Sequence, residues 1–281
     1  PNCCDIKGLF DNIRHDLLMK AVRKHTKCKW VLLYIERWLK APMKLEDGKT
    51  ELRRKGTPQG GCISPLLSNL FMHYVFDVWM KRKNPQNLWC RYADDGLVHC
   101  RTLQEAKRIK IALRQRLEEC GLEMHPDKTK IVYCKDSNRK GEYQETQFEF
   151  LGYCFRRRQA KNRRTGQIYD SFLPAMSETA FKAIKRKIKQ EWKFHAKIHK
   201  SLEEIASEIN PQVRGWINYY GKFYGSSMRK LKNQIDGNLA RWSRRKHKNL
   251  RGHKWRSHGW LLRVRKKAPK MFVHWYLGKA Y

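Results

Sequence analysis

Acidic charge is what this 281-residue sequence has least of: 26 Asp and Glu stand against 62 Lys and Arg, a formal net charge of +36. That imbalance points to a polyanionic partner, because each Lys or Arg near a phosphate releases condensed counterions. Long apolar runs are also missing. No uninterrupted stretch approaches 18 residues and the mean hydropathy is −0.81, which excludes a membrane span. The opening Pro-Asn-Cys-Cys-Asp has no apolar core of the kind a secretory signal carries. Nine cysteines are present, none in C-x-x-C spacing and none beyond Cys154, so no zinc ribbon is written here. Scattered thiols suit a reducing compartment, where they are expected as small buried hydrophobes. Internal repeats and low-complexity tracts are absent. What remains is 41% hydrophobic and 12% aromatic, too much for a disordered basic tail and enough for one large domain or two modest ones.

The charge is unevenly spread. Residues 173–281 hold 27 basic and 6 acidic side chains, against 35 and 20 in residues 1–172. We therefore expect two domains, 1–172 and 173–281. Arg156 to Tyr169, with a Thr165-Gly166 turn signal, is expected as a β-ribbon or loop joining them.

Strands and helices alternate in the first domain. Asp47-Gly48 predicts a hairpin turn. Ser64 is a candidate N-cap with Pro65 behind it, and Leu67, Leu70, Phe71, Tyr74 and Val78 follow at helical spacing. Thr102-x-x-Glu105 is a capping box for a helix that Gly121 closes. Leu88–Tyr92 and Leu97–Cys100 are predicted strands meeting at Asp94-Asp95, with further strands at 130–134 and 148–155. The fold class is α+β with a mostly antiparallel sheet. The second domain is helical. Stripes run through Phe181, Ile184, Ile188 and Trp192, and through a helix that Ser201-x-x-Glu204 caps. Two more follow: Val213 to Tyr220 after Pro211, then Met228 to Trp242. Together they predict the core of a small bundle.

Two places can carry chemistry. Adjacent carboxylates at the Asp94-Asp95 hairpin repel each other unless a cation joins them, and Mg²⁺ prefers such oxygen ligands. An ordinary solvated turn is the alternative. Asp5, at a strand end before Gly8 and a short helix, can face that hairpin across a neighbouring strand and share two ions with Asp94. Taken alone it reads as a helix-capping acid. In the second domain, Lys182, Lys185, Arg186, Lys189 and Lys193 share a helix face, and Arg241, Arg244, Arg245, Lys246, Lys248 and Arg251 form another cluster. Their unmixed sign favours nucleic acid over a merely solvated face. Trp255, Trp260 and Trp275 lie amid Arg and Lys, fit to stack on bases or to fill the core.

The ordered series DIKGLFDNI (5–13), TPQGGCISPLLSNLF (57–71), YADD (92–95), GLEMHPDKTKI (121–131) and FEFLGY (148–153) resembles the palm of a reverse transcriptase, most closely those encoded by group II introns. INPQVRGWINYYGKFY (209–224) and WSRRKHKNLRGHKW (242–255) resemble that family's maturase-specific thumb. The resemblance implies a polymerase palm followed by a helical thumb that binds RNA. Asp5 and Asp94 would be the principal ligands of two Mg²⁺ ions, with Mn²⁺ as a substitute. Asp95 would be the third, less direct member and Ile6 would lend a backbone carbonyl. Phe10 would be the steric gate under the sugar, unless it is simply core. Gln59 and Lys128 would lie near the incoming nucleotide, and Leu151-Gly152-Tyr153 would grip the primer. The RNA-binding residues would be Lys185, Arg186, Lys189, Arg241, Arg244, Arg245 and Lys246. Implied partners are an intron RNA template, a DNA or RNA primer and dNTPs, in the cytoplasm beside the nucleoid of a bacterial host, with no membrane.

Asp5 lies four residues from the first residue, whereas the family places a fingers region upstream, so a separate chain supplying fingers joins the expected partners. Arg14 and Gly96 stand where relatives carry an acidic and a larger apolar residue. Two readings follow: an RNA-directed DNA polymerase and maturase, or a non-catalytic RNA-binding splicing cofactor or decayed remnant.

Overall fold

The computed structural model describes residues 1–44, 48–58, 60–139, 141–162 and 164–276, apart from the side chains of Asn2, Met43 and Lys44. The chain divides into two compact units, Pro1–Tyr133 with Tyr143–Glu145, and Cys134–Glu142 with Thr146–Tyr281. Compactness thus divides the chain well before the charge step at 172/173. The intervening ribbon packs with the helical unit.

The first unit runs β1 (Asn2–Cys4), β2 (Ile6–Lys7), α1 (Leu9–Asn12), α2 (His15–His25), α3 (Lys29–Lys40), β3 (Met43–Lys44), β4 (Thr50–Glu51) and α4 (Ser64–Met72). A π-helical turn, His73–Asp77, leads into α5 (Val78–Lys83). Then come β5 (Trp89–Tyr92), β6 (Asp95–Val98), α6 (Leu103–Glu119), β7 (Glu123–Met124) and β8 (Lys130–Ile131). The main sheet is ordered β5-β6-β1-β8, antiparallel at every pairing, and β2 pairs separately with β7. Helices cover one face through Leu18, Val22, Phe71, Phe76, Ile109, Leu113 and Leu117. The Thr102 hydroxyl accepts the Glu105 N–H at 3.1 Å, as the capping box predicts, but Glu105 reaches back to the Arg101 N–H at 2.6 Å. The expected Asp47-Gly48 turn falls partly outside the described residues, while β3 and β4 pair on either side of it.

Four sequence expectations are corrected. Ile63, not Ser64, is the N-cap of α4, because the Ser64 hydroxyl is spent on the Pro58 carbonyl at 2.6 Å. The predicted 148–155 strand is two strands, β9 (Phe148–Phe150) and β10 (Tyr153–Lys161), turning at Leu151-Gly152, both at positive φ. Pro211 does not separate two helices, since α8 (Leu202–Tyr220) runs through it. Burying Ile205, Ile209, Val213 and Ile217 on one stripe is worth roughly 6–12 kcal/mol at about 1.5–3 per side chain, more than the proline's cost of about 3. Cysteines are not uniformly buried: Cys4 and Cys120 are, but Cys28, Cys62 and Cys90 are exposed.

The second unit continues from β10 into β11 (Ile168–Met176), the ordered ribbon foreseen around Thr165-Gly166. It then runs α7 (Glu178–Lys187), α8, α9 (Arg229–Lys246), α10 (Lys254–Lys267) and α11 (Val273–Tyr276). Ser201 and Glu204 form a complete capping box. Ile184, Ile209, Leu231, Ile235, Trp242, Phe272 and Trp275 share the core.

Candidate active site

The β1–β6 register pairs Asn2 with Val98, Cys3 with Leu97 and Cys4 with Gly96, so the next pair in that series is Asp5 with Asp95. Residues 90 positions apart in sequence are thereby brought to one end of the sheet. Asp5 is fixed by its backbone: its carbonyl accepts the His125 N–H at 2.8 Å and its own N–H meets the Thr129 hydroxyl at 3.4 Å. Because Asp5 and His125 are bonded across the β2–β7 ladder, antiparallel alternation turns the Ile6 carbonyl away from β7.

The Lys128 ammonium lies 2.9 Å from the Asp5 carboxylate, the acid 16% exposed and the lysine 62%. Asp5 in turn pushes the Lys128 pKa up, first through that hydrogen bond. The Asp95 carboxyl is pushed up by burial, then by the nearby Asp94 and Asp5 charges, with Lys128 opposing. Burial and the same carboxylates hold the Cys4 thiol neutral, its pKa pushed up to about 12. Among the described residues, no group of three His, Cys, Asp or Glu side chains closes into a shape able to hold an ion. The donor chemistry does fit a hard divalent cation: every ligand would be an oxygen, burial and then the Asp94 and Asp5 charges raise Asp95, and an ammonium already stands where positive charge is required.

The hairpin turn is tighter than the sequence suggests. Tyr92 pairs with Asp95, leaving Ala93 and Asp94 as the two turn residues, and Ala93 has φ 54°. A residue with a Cβ pays about 1–2 kcal/mol for that left-handed conformation. The side chain of Arg91, unnoticed in the sequence, binds the Ala93 carbonyl at 2.9 Å. Gly96 is explained by its neighbours: a Cβ there would meet the Phe76 ring at 3.4 Å and the Cys4 sulfur at 3.5 Å, so Phe76 fills the space a larger side chain would take.

Phe10 lies half-buried on α1. Its carbonyl accepts the Thr57 N–H at 2.7 Å, and the Ile13 carbonyl accepts the Gly56 N–H at 2.7 Å, so the loop carrying the 57–71 motif is stitched to α1. Gly56 is obligatory there: at φ +82° a Cβ would fall 2.7 Å from the Phe10 oxygen. Gln59 falls outside the described residues.

In the second unit, Leu151 and Gly152 form the tip of the β9–β10 hairpin. The Tyr219 hydroxyl donates to the Leu151 carbonyl at 2.9 Å, and the Tyr153 hydroxyl donates to the Tyr219 carbonyl. Burial, then the neighbouring tyrosines, pushes the Tyr153 pKa up to about 12. A Cβ on Gly152 would fall 2.8 Å from the Tyr220 hydroxyl. Tyr219, which sequence reasoning passed over, and Tyr220, which it assigned to a helical stripe, therefore set this tip.

The two basic clusters converge in part. Lys185 and Arg186 of α7 and Lys189 of the π-helical turn after it (Ile188–Trp192) line one cavity of about 530 Å³ with Arg241 and Arg245 of α9, joined by Lys182, Lys193 and His195. Arg244 and Lys246 are not in that lining. Arg244 donates to the Ser257 hydroxyl at 2.9 Å, and Lys246 donates to the Lys200 carbonyl. Trp275 is core, whereas Trp255 is 89% exposed.

A model of the reverse transcriptase (RNA-dependent DNA polymerase) family matches residues 2–155, and one of the group II intron maturase-specific domain matches residues 181–260. Protein YkfC of Escherichia coli is 28% identical over 189 residues, 56% of this chain and 47% of its own length. The group II intron-encoded protein LtrA of Lactococcus lactis is 35% identical over 117 residues, 40% of this chain and 18% of its own. The chain thus spans less than half the length of these curated relatives. Telomerase of Candida albicans superposes with a TM-score of 0.46 at 13% identity, over 96% of this chain and 47% of that one.

Proposed function

The chain belongs to the reverse transcriptase family and carries a group II intron maturase-specific domain, and from that premise we propose that it extends a primer on an RNA template and binds intron RNA. The observation that carries the reading is the approach of Asp5 to the Asp94-Asp95 hairpin, read from the register and from the Asp94 and Asp5 charges that, after burial, raise Asp95. Asp5 and Asp94 would hold two Mg²⁺ ions, or Mn²⁺ in their place, with the Ile6 carbonyl assisting and Asp95 less directly engaged. Such ions, when bound, stabilise charge on the attacking and leaving oxygens of the displacement.

This chain's own residues do the rest. Lys128 neutralises Asp5 at rest and is free to meet triphosphate charge once that carboxylate is engaged. Phe10 stands under the sugar, where its ring would collide with a 2′-hydroxyl. Gln59 contacts the nucleotide, and the Leu151-Gly152-Tyr153 tip holds the primer end. The α7/α9 cavity gathers RNA phosphates. Residues 1–172 would thus supply chemistry and 173–281 affinity, with a bacterial cytoplasm as the setting.

A second reading, a non-catalytic RNA-binding splicing cofactor, draws on two observations: Asp5 already has its cation in Lys128, and no three acidic ligands close round an ion among the described residues. Extension of oligo(dT) on poly(rA) with dTTP and Mg²⁺ separates the two. Asp94→Asn should lower the rate ~10³-fold or more, since one lost ligand forfeits several kcal/mol of charge stabilisation. Absence of extension by the wild-type chain would overturn the polymerase reading, and a variant rate within tenfold of wild type would overturn Asp94 as a metal ligand.

A further inference from the structure

Arg91 is the most heavily bonded charged side chain near the candidate site. It sits on β5, opposite Gly96, with its side chain 9% exposed. Its Nε donates to Asp77 Oδ1 at 2.7 Å and its Nη2 to Asp77 Oδ2 at 2.9 Å, a two-pronged ion pair. The remaining nitrogen, Nη1, donates to Asn69 Oδ1 at 3.1 Å and to the Ala93 carbonyl at 2.9 Å. All three guanidinium nitrogens are engaged, and one of them holds the peptide between Ala93 and Asp94.

The partner is placed with equal care. Asp77 closes the π-helical turn that interrupts the helix between Met72 and Val78, and His73 Nδ1 lies 3.4 Å from its Oδ2, the oxygen that Arg91 Nη2 also reaches. Such insertions re-aim the residues that follow, and they concentrate at functional sites. The π turn here swings a carboxylate toward β5, while the buried Phe76 beside it packs on Trp89 of the same strand. Helix, strand and turn are therefore locked together within one unit.

We propose that Arg91, anchored by Asp77 and Asn69, is the positioning residue that holds the Ala93-Asp94 turn in its left-handed conformation and so aims the Asp94 carboxylate. The inference rests on the assignment of Asp94 as a metal ligand. The two-residue turn between the paired Tyr92 and Asp95 calls for positive φ at its first residue, an unfavourable state for one with a Cβ, and the Arg91 bond to the Ala93 carbonyl holds it there. A lysine at 91 keeps the charge but not the fork, and one ammonium cannot serve Asp77, Asn69 and the Ala93 carbonyl together.

The test uses the full chain in three variants: Arg91→Lys, Asp77→Asn and the two combined. Two quantities are read in each, Mn²⁺ affinity by electron paramagnetic resonance and primer extension on poly(rA)·oligo(dT). Each single variant should weaken Mn²⁺ binding and lower kcat by ~10- to 100-fold, as misplacement of a reacting group by about 1 Å does, with dTTP KM and RNA affinity within twofold of wild type. The double variant should be no worse than the poorer single one, because both break one clamp. A purely structural ion pair would lower the melting temperature and leave kcat and Mn²⁺ affinity of the folded protein unchanged, which overturns the proposal. Normal Mn²⁺ affinity in Arg91→Lys while Asp94→Asn abolishes it refutes the positioning role alone. Absence of Mn²⁺ binding in the wild type refutes the metal assignment and this inference together.

Discussion

The α7/α9 cavity allows a prediction in which neighbouring arginines behave differently. Lys185, Lys189, Arg241 and Arg245 line it, while Arg244 and Lys246 are bonded to Ser257 and to the Lys200 carbonyl. Each phosphate contact adds ~0.7 to the log–log salt slope for single-stranded RNA and ~0.9 for duplex. Replacing these four of the lining residues by Ala in the full chain should therefore flatten the slope by roughly 2.8 to 3.6. Between 50 and 200 mM salt, wild type should then lose roughly 50- to 150-fold more affinity than the variant. Arg244→Ala with Lys246→Ala should leave the slope almost unchanged. Fluorescence anisotropy of a labelled intron RNA fragment across that salt range reads both. Equal flattening in the two variants would refute the reasoning, since the cavity would then have no privileged role.

Two further predictions concern the first unit. Because the Asp95 carboxyl is pushed up by burial and by Asp94 and Asp5, the native state binds more protons than the unfolded chain just above the usual carboxylate range, and ionising Asp95 costs stability as pH rises through that window. Asp95→Asn should thus melt higher than wild type near pH 7, with the gain fading toward about pH 3; a variant less stable at neutral pH would contradict this. Phe10→Ala should raise the kcat/KM ratio of ribonucleotide to deoxynucleotide by ~10-fold or more, and an unchanged ratio in an enzyme that still polymerises would make Phe10 core alone.

Much of this was written locally. The Thr102 and Ser201 caps follow from spacing and polarity over short stretches, whereas the approach of Asp5 to a hairpin 90 residues away is set by the β1–β6 register. What the sequence hid is tertiary. Pro211 interrupts a pattern of propensity, but the buried stripe it sits among carries the helix through. Leu151 at positive φ looks like strand until Tyr219 holds its carbonyl and Tyr220 closes over Gly152. Arg91 carried one legible signal, a charge directly before YADD in a strand of mixed apolar character. Its partner Asp77, 14 residues earlier, could be assigned only once the π turn had aimed it. The pairing of Lys128 with Asp5 depends likewise on the His125–Thr129 loop folding back onto Asp5.

Localised cleavage tests most directly whether Asp5 and Asp94 hold a divalent ion. Fe²⁺ substituted for Mg²⁺ in the full chain with template–primer bound, then treated with ascorbate and peroxide, cuts backbone beside the ion. Mass spectrometry should find cuts near Asp5, at 92–96 and in the His125–Thr129 loop, all lost together in Asp94→Asn. Cuts elsewhere, or the same cuts in that variant, would contradict the account.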